Sequence, residues 1–122
     1  MRSVRIGGGS AGYGDGTMAT PRLIRDGALD YVMLDYLSEY FMPQAGRARQ
    51  QDPQAGYVMY FPDELFSSIL PTLLAHKVRL ISNVGAVNPH ACAVAMQAAA
   101  GRLGLAPRIA VVDGDDLLDH AV

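Results

Sequence analysis

The alternation of short apolar segments with helical patterns most constrains the fold of this chain. Strand-like apolar runs lie at residues 4–6, 29–34, 78–82 and 108–112. Helical patterns with typical start and stop residues lie near residues 20–26, 37–51, 62–76 and 89–103. Strands separated by helices imply a parallel sheet with right-handed crossovers. We therefore predict an α/β fold: about four parallel strands with helices on the faces of the sheet, as a Rossmann-like three-layer sandwich.

Composition narrows the class of protein further. The 122 residues suit one α/β domain, and half of them are apolar, as in ordinary globular proteins. The formal net charge of -2 leaves no basic excess for nucleic acid, and no apolar run approaches a membrane span. Cys92 is the single cysteine, which excludes an intramolecular disulfide. We expect a cytoplasmic protein that binds neither nucleic acid nor membrane.

Two of the predicted helices carry proline at informative positions. Asn88 can cap a helix whose first residue is Pro89, and Gly104 can end it. Pro71 falls inside the helix predicted for residues 62–76, where it removes one backbone hydrogen bond. We expect a bend there, or two shorter helices.

Ligands of parallel sheets bind beyond the carboxyl ends of the strands. The loops at that edge should be residues 7–16, 35–39, 83–88 and 113–116, which are also the densest in glycine, aspartate and asparagine. The chemistry of the protein, if it has any, is therefore expected in these four loops.

The first loop contains a glycine motif with more than one interpretation. Gly7, Gly9 and Gly12 match G-x-G-x-x-G after a strand, and Asp35 ends the next strand, as in dinucleotide-binding proteins. That mechanism requires a helix that begins inside the motif, whereas the best helix start here is near Thr20. A plain glycine-rich turn and a loop shaped for another ligand, with Gly8, Gly9, Ser10 and Gly14, remain open.

Acidic side chains could act at the same edge. Asp15 and Asp35 could form a carboxylate pair, either as acid and base or as ligands of a divalent cation such as magnesium. Turn formation by Asp15 and a hydrogen-bonded strand end at Asp35 would explain them equally simply. Glu39 either faces a cleft at this edge of the sheet or is an exposed residue of a first helical turn. Asp115 and Asp116 could bind a cation, orient hydroxyl groups or cap a following helix.

The third loop suits an anion. Asn83, Gly85 and Asn88 precede a helix start, where backbone N–H groups can hold a phosphate or carboxylate. Helix capping by Asn88 and an unusual backbone angle at Gly85 explain two of these residues without a ligand. His90 and Cys92 do not share a helix face, so a catalytic pair is not expected. The three histidines lack the spacing of metal ligands, so zinc is not indicated.

Together these loops resemble the acyclic terpene utilisation family of the AtuA type. The matching stretches span most of the chain in order, and they are residues 6–8 with 14–15, residues 29–31 with 35–39, Asn83 with Gly85, residues 88–89 and 91–93, and Val112 with residues 114–118. The first loop departs from the pattern by one additional glycine. The resemblance implies a bacterial or fungal cytoplasmic protein of acyclic terpene (citronellol and geraniol) catabolism, a route through acyl-CoA esters. It also implies that this chain is the amino-terminal portion of a longer protein.

Three functional hypotheses follow. The first is an enzyme, or the substrate-binding part of one, for a lyase or hydratase step on a branched carboxylic acid or acyl-CoA ester. Its predicted catalytic residues are Asp15, Asp35, Asn83 and Asp115, and its predicted ligand-binding residues are Gly8, Gly9, Ser10, Gly14, Glu39, Gly85, Asn88 and Asp116. The second is an NAD(P)-binding Rossmann-type module. The third is a non-catalytic assembly domain, covered by the remainder of its own protein or forming a homo-oligomer.

Overall fold

Three parallel strands form the single sheet of the computed structural model, which describes residues 3–12, 14–15 and 18–117. The strands are β1 (Ile6–Ala11), β2 (Tyr31–Asp35) and β3 (Arg79–Ser82), in the spatial order β1-β2-β3. The helices are α1 (Ala19–Asp26), α2 (Phe41–Gln51), α3 (Ser67–His76) and α4 (Pro89–Arg102), with a π-helical turn (Pro62–Phe66) directly before α3. The predicted parallel α/β architecture is confirmed.

The glycine run lies inside the first strand, so the prediction that this strand ends at Ile6 is wrong. Gly9 is buried, and a Cβ atom there would lie 2.6 Å from Cδ2 of Leu34 and 2.7 Å from Oγ1 of Thr20. The Thr20 hydroxyl donates a hydrogen bond of 2.9 Å to the Gly9 carbonyl. Glycine therefore allows α1 to pack directly on the backbone of β1. Thr20 is therefore a buried residue of that contact, and the N-cap position of α1 is occupied by Met18.

The helical region predicted for residues 62–76 is divided into two helices, as expected from Pro71, but the division does not lie at this proline. Pro71 lies within α3, whereas the change of helix type occurs between Phe66 and Ser67. The ring of Pro71 would clash with the carbonyl of Ser67, four residues earlier, in a regular α-helix. The wider π-helical turn ends just before that carbonyl. Asn88 caps α4 as predicted, since its side chain accepts a hydrogen bond from the Ala91 N–H.

The helices leave one face of the sheet uncovered by the described residues. Val32 and Leu34 face the helices and are buried, while Ile6, Met33 and Ile81 on the opposite face are about half exposed or more. Right-handed crossovers between strands added in one direction bring every connecting helix to the same face. The second helical layer of the predicted three-layer sandwich is therefore not formed within the described residues.

The predicted fourth strand is also not formed. Residues 106–117 have no helix or strand, and Val112 is 94% exposed. The segment alternates half-buried and exposed residues, as a strand does, but it makes no ladder with β3. Its end is held instead by an ion pair between Asp116 and Arg49 of α2 and by a contact between Asp113 and His90 of α4.

The core lies between the sheet and the helices. Its largest fully buried side chains include Tyr36, Phe61, Leu65 and Ile69. The rings of Tyr36 and Phe61 meet edge to face with centroids 5.6 Å apart, a favourable aromatic geometry. Tyr36 follows the last residue of β2, so this packing fixes the carboxyl end of the central strand against the helical layer.

Candidate functional site

The carboxyl ends of the three strands bring Ser10, Asp35 and Asn83 together, as predicted. The Asn83 side-chain N–H donates a hydrogen bond of 2.7 Å to Oδ1 of Asp35. The Ser10 hydroxyl donates to the Asp35 carbonyl at 3.1 Å. Parallel strands end at a common edge of the sheet, which explains why residues far apart in sequence meet here.

The Asp35 carboxylate is held in one orientation at this edge. Hydrogen bonds from the Asn83 amide and from the Leu37 N–H, both to Oδ1, lower its pKa below the ordinary value. Its other oxygen, Oδ2, has no hydrogen-bond partner among the described residues, and the residue is exposed. Asp35 therefore presents an ionised, oriented oxygen atom to solvent, which suits an acceptor and not a proton donor.

Both ends of the Asn83 side-chain amide make hydrogen bonds within the chain. Its Oδ1 accepts a hydrogen bond of 2.9 Å from the Tyr36 N–H, while its amide N–H donates to Asp35. The side chain thus links the end of β3 to the residues that end β2. Asn83 positions the carboxylate of Asp35.

Two tyrosines hold the loop after β1, and the sequence interpretation missed both. The Tyr36 hydroxyl donates to the Asp15 carbonyl at 3.1 Å, and the Tyr60 hydroxyl accepts from the Gly14 N–H at 2.7 Å. The Asp15 carboxylate accepts the Ala11 N–H at 3.2 Å, as the turn-forming interpretation predicts. The adjacency of Tyr36 to Asp35 was a usable signal for one tyrosine, whereas no sequence pattern indicates Tyr60.

The turn after β3 is stabilised by its own backbone. The N–H groups of Ala86, Val87 and Asn88 donate to the carbonyls of Asn83, Gly56 and Gly85. These three N–H groups therefore already have hydrogen-bond acceptors, and few backbone donors of the turn remain for the predicted anion. A Cβ atom on Gly85 would lie 2.7 Å from Cα of Pro89, so close packing, and not an unusual φ angle, requires this glycine. The left-handed residue of the turn is Ala86, with a φ of 44°.

Asn88 is fully engaged with protein groups. Its Nδ2 donates to the carbonyls of Pro53 and Ala55 at 2.8 and 2.7 Å, and its Oδ1 caps α4. These bonds join α4 to the loop after α2. These contacts within the chain account for the whole Asn88 side chain without the predicted ligand.

A cleft of about 580 Å³ opens beside this turn. Arg49 of α2 and His90 of α4 line it, and residues 113–117 form its opposite wall. Arg49 forms an ion pair with Asp116, and Nε2 of His90 contacts Oδ2 of Asp113. Arg49 also donates to the Val87 carbonyl, which fixes the guanidinium at the turn. No sequence motif indicated Arg49, because its neighbours in space are about 40 and 70 residues away.

The remaining predicted residues fall into two groups. Asp115 and Asp116 line the cleft, which does not include Asp15, Asp35 or Asn83. The four loops therefore form two regions: the strand-end site of Ser10, Asp15, Asp35 and Asn83, and the α4 cleft. Glu39 is exposed before α2. Gly8 lies in β1 with open space around it, and Gly9 lies beneath α1.

The structure gives no support to thiol, metal or dinucleotide chemistry in the described residues. Burial raises the pKa of the Cys92 thiol to about 12, as expected of a core cysteine. No group of three or more His, Cys, Asp or Glu side chains in residues 3–12, 14–15 and 18–117 could hold a metal ion. α1 begins at Ala19, outside the glycine motif, so the helix N-terminus that a pyrophosphate requires is not at the glycines.

In the part of the chain that the structure describes, no helix combines the length and apolar character needed to cross a bilayer.

Comparison with known proteins identifies the family. No curated protein and no solved structure matches the sequence. Residues 4–122 match the family described as acyclic terpene utilisation family protein AtuA. This match spans nearly the whole chain and agrees with the resemblance of its four loops, so the chain belongs to the acyclic terpene utilisation family of the AtuA type.

Proposed function

We propose that this protein is an enzyme, or the substrate-binding part of one, acting on a branched carboxylic acid or acyl-CoA ester in acyclic terpene catabolism. The observation that carries the proposal is the Asp35 carboxylate at the strand-end site. It is oriented by Asn83, its pKa is lowered, and Oδ2 is open to solvent. Membership of a family named for acyclic terpene utilisation supports the proposed class of substrate.

A hydratase or lyase step would use these groups directly. Hydration of an unsaturated thioester adds the oxygen of a water molecule to one alkene carbon and a proton to the other. Asp35 would accept a hydrogen bond from that water and orient it for attack. A lowered pKa makes Asp35 a weak base, so orientation and not proton abstraction is its main contribution. Asp15 of the same strand-end site would serve as the acid–base group of this step, whereas Asp115, the other predicted acid–base residue, lies in the α4 cleft.

Turnover of geranoyl-CoA tests this assignment. Asp35→Asn keeps the shape and removes the charge, and we expect it to lower the rate of hydration by about a hundredfold or more. Asn83→Ala should lower kcat less, because the carboxylate remains but loses its orientation. Glu64→Gln, an exposed acidic residue of the π-helical turn, is the matched control and should leave turnover unchanged. Full activity in both site variants would disprove the assignment.

A thermal-shift titration defines the ligand before any assay of turnover. Specific binding to the native state must raise its apparent stability. The panel is NAD, NADP, ATP, coenzyme A, geranoyl-CoA and magnesium. A shift with coenzyme A or its ester supports the proposed substrate class. A shift with NAD or NADP alone would favour the dinucleotide-binding alternative over it.

The assembly alternative also has one supporting observation. Ile6, Met33 and Ile81 lie together on the uncovered face of the sheet, and exposed apolar patches commonly mark contacts with other polypeptides. Sedimentation over a range of protein concentrations tests it. An increase in mass with concentration that is lost in Met33→Lys would support an assembly role for this face.

The segment from residue 108 to 112 is proposed to be the fourth strand of the functional protein. It contains no helix or turn, and Ile109 and Val111 are half-buried in alternation with exposed residues. It follows α4 and ends near the start of that helix, so it runs in the same direction as β3. Slow amide exchange at residues 109 and 111 would support pairing with β3, and fast exchange throughout would contradict it.

A further inference from the structure

We infer that Arg49 and His90 form a binding site for the anionic group of a ligand, and that the chain's own Asp113 and Asp116 occupy this site until the ligand displaces them. The inference deepens the proposed function, on which it rests for the type of substrate. A phosphate or a carboxylate would satisfy the same chemistry.

The first argument is the arrangement of Arg49. One nitrogen of its guanidinium, Nη1, contacts both the Val87 carbonyl and Oδ2 of Asp116. The contact with Val87 does not depend on Asp116, so the guanidinium stays oriented when the carboxylate leaves. A planar guanidinium held in this way suits a carboxylate or phosphate, which it can bind through two parallel hydrogen bonds.

The second argument is that one short segment supplies both partners. Arg49 and His90 come from different helices, yet Asp113 and Asp116 bind them from within four residues of each other. An imidazole N–H can donate to an anion in either protonation state of the ring. The two donors and the cleft between them therefore already hold anions, and these anions belong to the protein.

The third argument is that the bound carboxylates are replaceable. All residues from 113 to 117 are exposed, and the Asp113 and Asp116 side chains retain 57% and 41% of their accessible surface. Ion pairs in such positions contribute little stability. The cleft volume of about 580 Å³ lies in the range of small-molecule sites, so a ligand group has room to enter.

Asp113→Asn/Asp116→Asn, in the whole protein, tests the competition. It removes both negative charges and keeps the shape of the segment. If the carboxylates occupy the site for most of the time, the variant should bind inorganic phosphate or coenzyme A about tenfold more tightly than wild type. Isothermal titration calorimetry measures the affinity. An unchanged affinity would overturn the inference.

Arg49 variants test the location of the site. Arg49→Gln should weaken binding of the same probes about tenfold or more, whereas Arg49→Lys should retain part of it because the charge remains. Glu64→Gln is the control for the loss of an acidic charge, since Glu64 is exposed and does not line the cleft, and its affinity should stay within about twofold of wild type. Equal binding by Arg49→Gln and wild type would contradict the assignment.

The choice of probe separates the two sources of the anion. Binding of phosphate and coenzyme A without 3-methylbutanoate would assign the site to the phosphates of an acyl-CoA. The reverse pattern would assign it to a free carboxylate, and binding of none of them by any variant would disprove the site. These measurements need no turnover, so tight anion binding without hydration of geranoyl-CoA would contradict the proposed reaction alone.

Discussion

The Asn83 side chain connects two strands through hydrogen bonds to two neighbouring residues. Its Nδ2 donates a hydrogen bond of 2.7 Å to Oδ1 of Asp35. Its Oδ1 accepts the N–H of Tyr36, the next residue along the chain. The ends of β2 and β3 are thereby held in a fixed relation, and the charge at the sheet edge is held with them.

Replacing Asn83 should raise the pKa of Asp35. In the folded protein this pKa lies below its ordinary value of 3.8 because Asn83 and the Leu37 N–H bind the ionised form. Since the folded-state pKa is depressed, these contacts stabilise the protein above the unfolded pKa, and this contribution is lost as the pH falls through the folded value. In Asn83→Ala we expect the pKa to move up toward 3.8 and the acid-side loss of stability to shrink. A carbon-13 NMR titration of the Asp35 carboxyl measures it.

Ser10→Ala is the control for this titration. The Ser10 hydroxyl contacts the Asp35 carbonyl and not its carboxylate, so the carboxyl pKa should remain at the wild-type value. A pKa in Asn83→Ala equal to that of wild type would show that Asn83 does not govern the charge of Asp35.

Alanine at position 9 should destabilise the protein, and alanine at position 8 should not. A Cβ on Gly9 would lie within 2.7 Å of atoms of Leu34 and Thr20, and both of these neighbours are buried. Overpacking of this kind costs about 1–3 kcal/mol. Gly8 has no atom within 4 Å of such a Cβ, so Gly8→Ala should change the free energy of unfolding by less than about 0.5 kcal/mol. Urea denaturation of both variants gives the comparison, and equal stabilities would refute the packing argument.

Tyr36→Phe should destabilise the native state by about 1 kcal/mol, because it removes the hydrogen bond to the Asp15 carbonyl but keeps the ring. Burial raises the pKa of the Tyr36 hydroxyl to about 12. A raised folded-state pKa means that the stabilisation is complete below pH 10 and is lost as the pH rises through about 12. The variant should lose less stability than wild type over this alkaline range.

Denaturation at several alkaline pH values measures the effect of Tyr36. Tyr40→Phe is the matched control, because Tyr40 is 79% exposed and should change neither the stability nor its pH dependence appreciably. Identical alkaline profiles for Tyr36→Phe and wild type would be incompatible with a buried, hydrogen-bonded hydroxyl.

Cys92 should be unreactive in the folded protein. Burial raises its thiol pKa from 9.0 to about 12, which lowers the thiolate fraction about a thousandfold at neutral pH. Alkylation by iodoacetamide should therefore be slow in buffer and rapid in denaturant. The chain has one cysteine, so the rate of labelling reports this site alone. Rapid labelling of the native protein would show that Cys92 is accessible, against its 2% exposure.

The sequence by itself determined the local elements and their order. The start of α4 was predictable because Asn88 and Pro89 satisfy the first backbone groups of a helix through short-range contacts. The parallel order of the strands followed from the helices between them. The meeting of Asp35 and Asn83 was predictable for the same reason, since both follow strands of one sheet.

Tertiary packing alone decided the rest. Gly7 and Gly9 resemble a phosphate loop in sequence, but the approach of α1 makes them part of a strand, and only atoms distant in the chain create that requirement. Arg49 carries no local signal, because its partners are Val87 and Asp116. A strand also needs a neighbour with free hydrogen-bonding groups, so the apolar run after α4 could not by itself ensure a fourth strand. Local patterns specify what a segment can form, and long-range contacts decide which of these forms is stabilised.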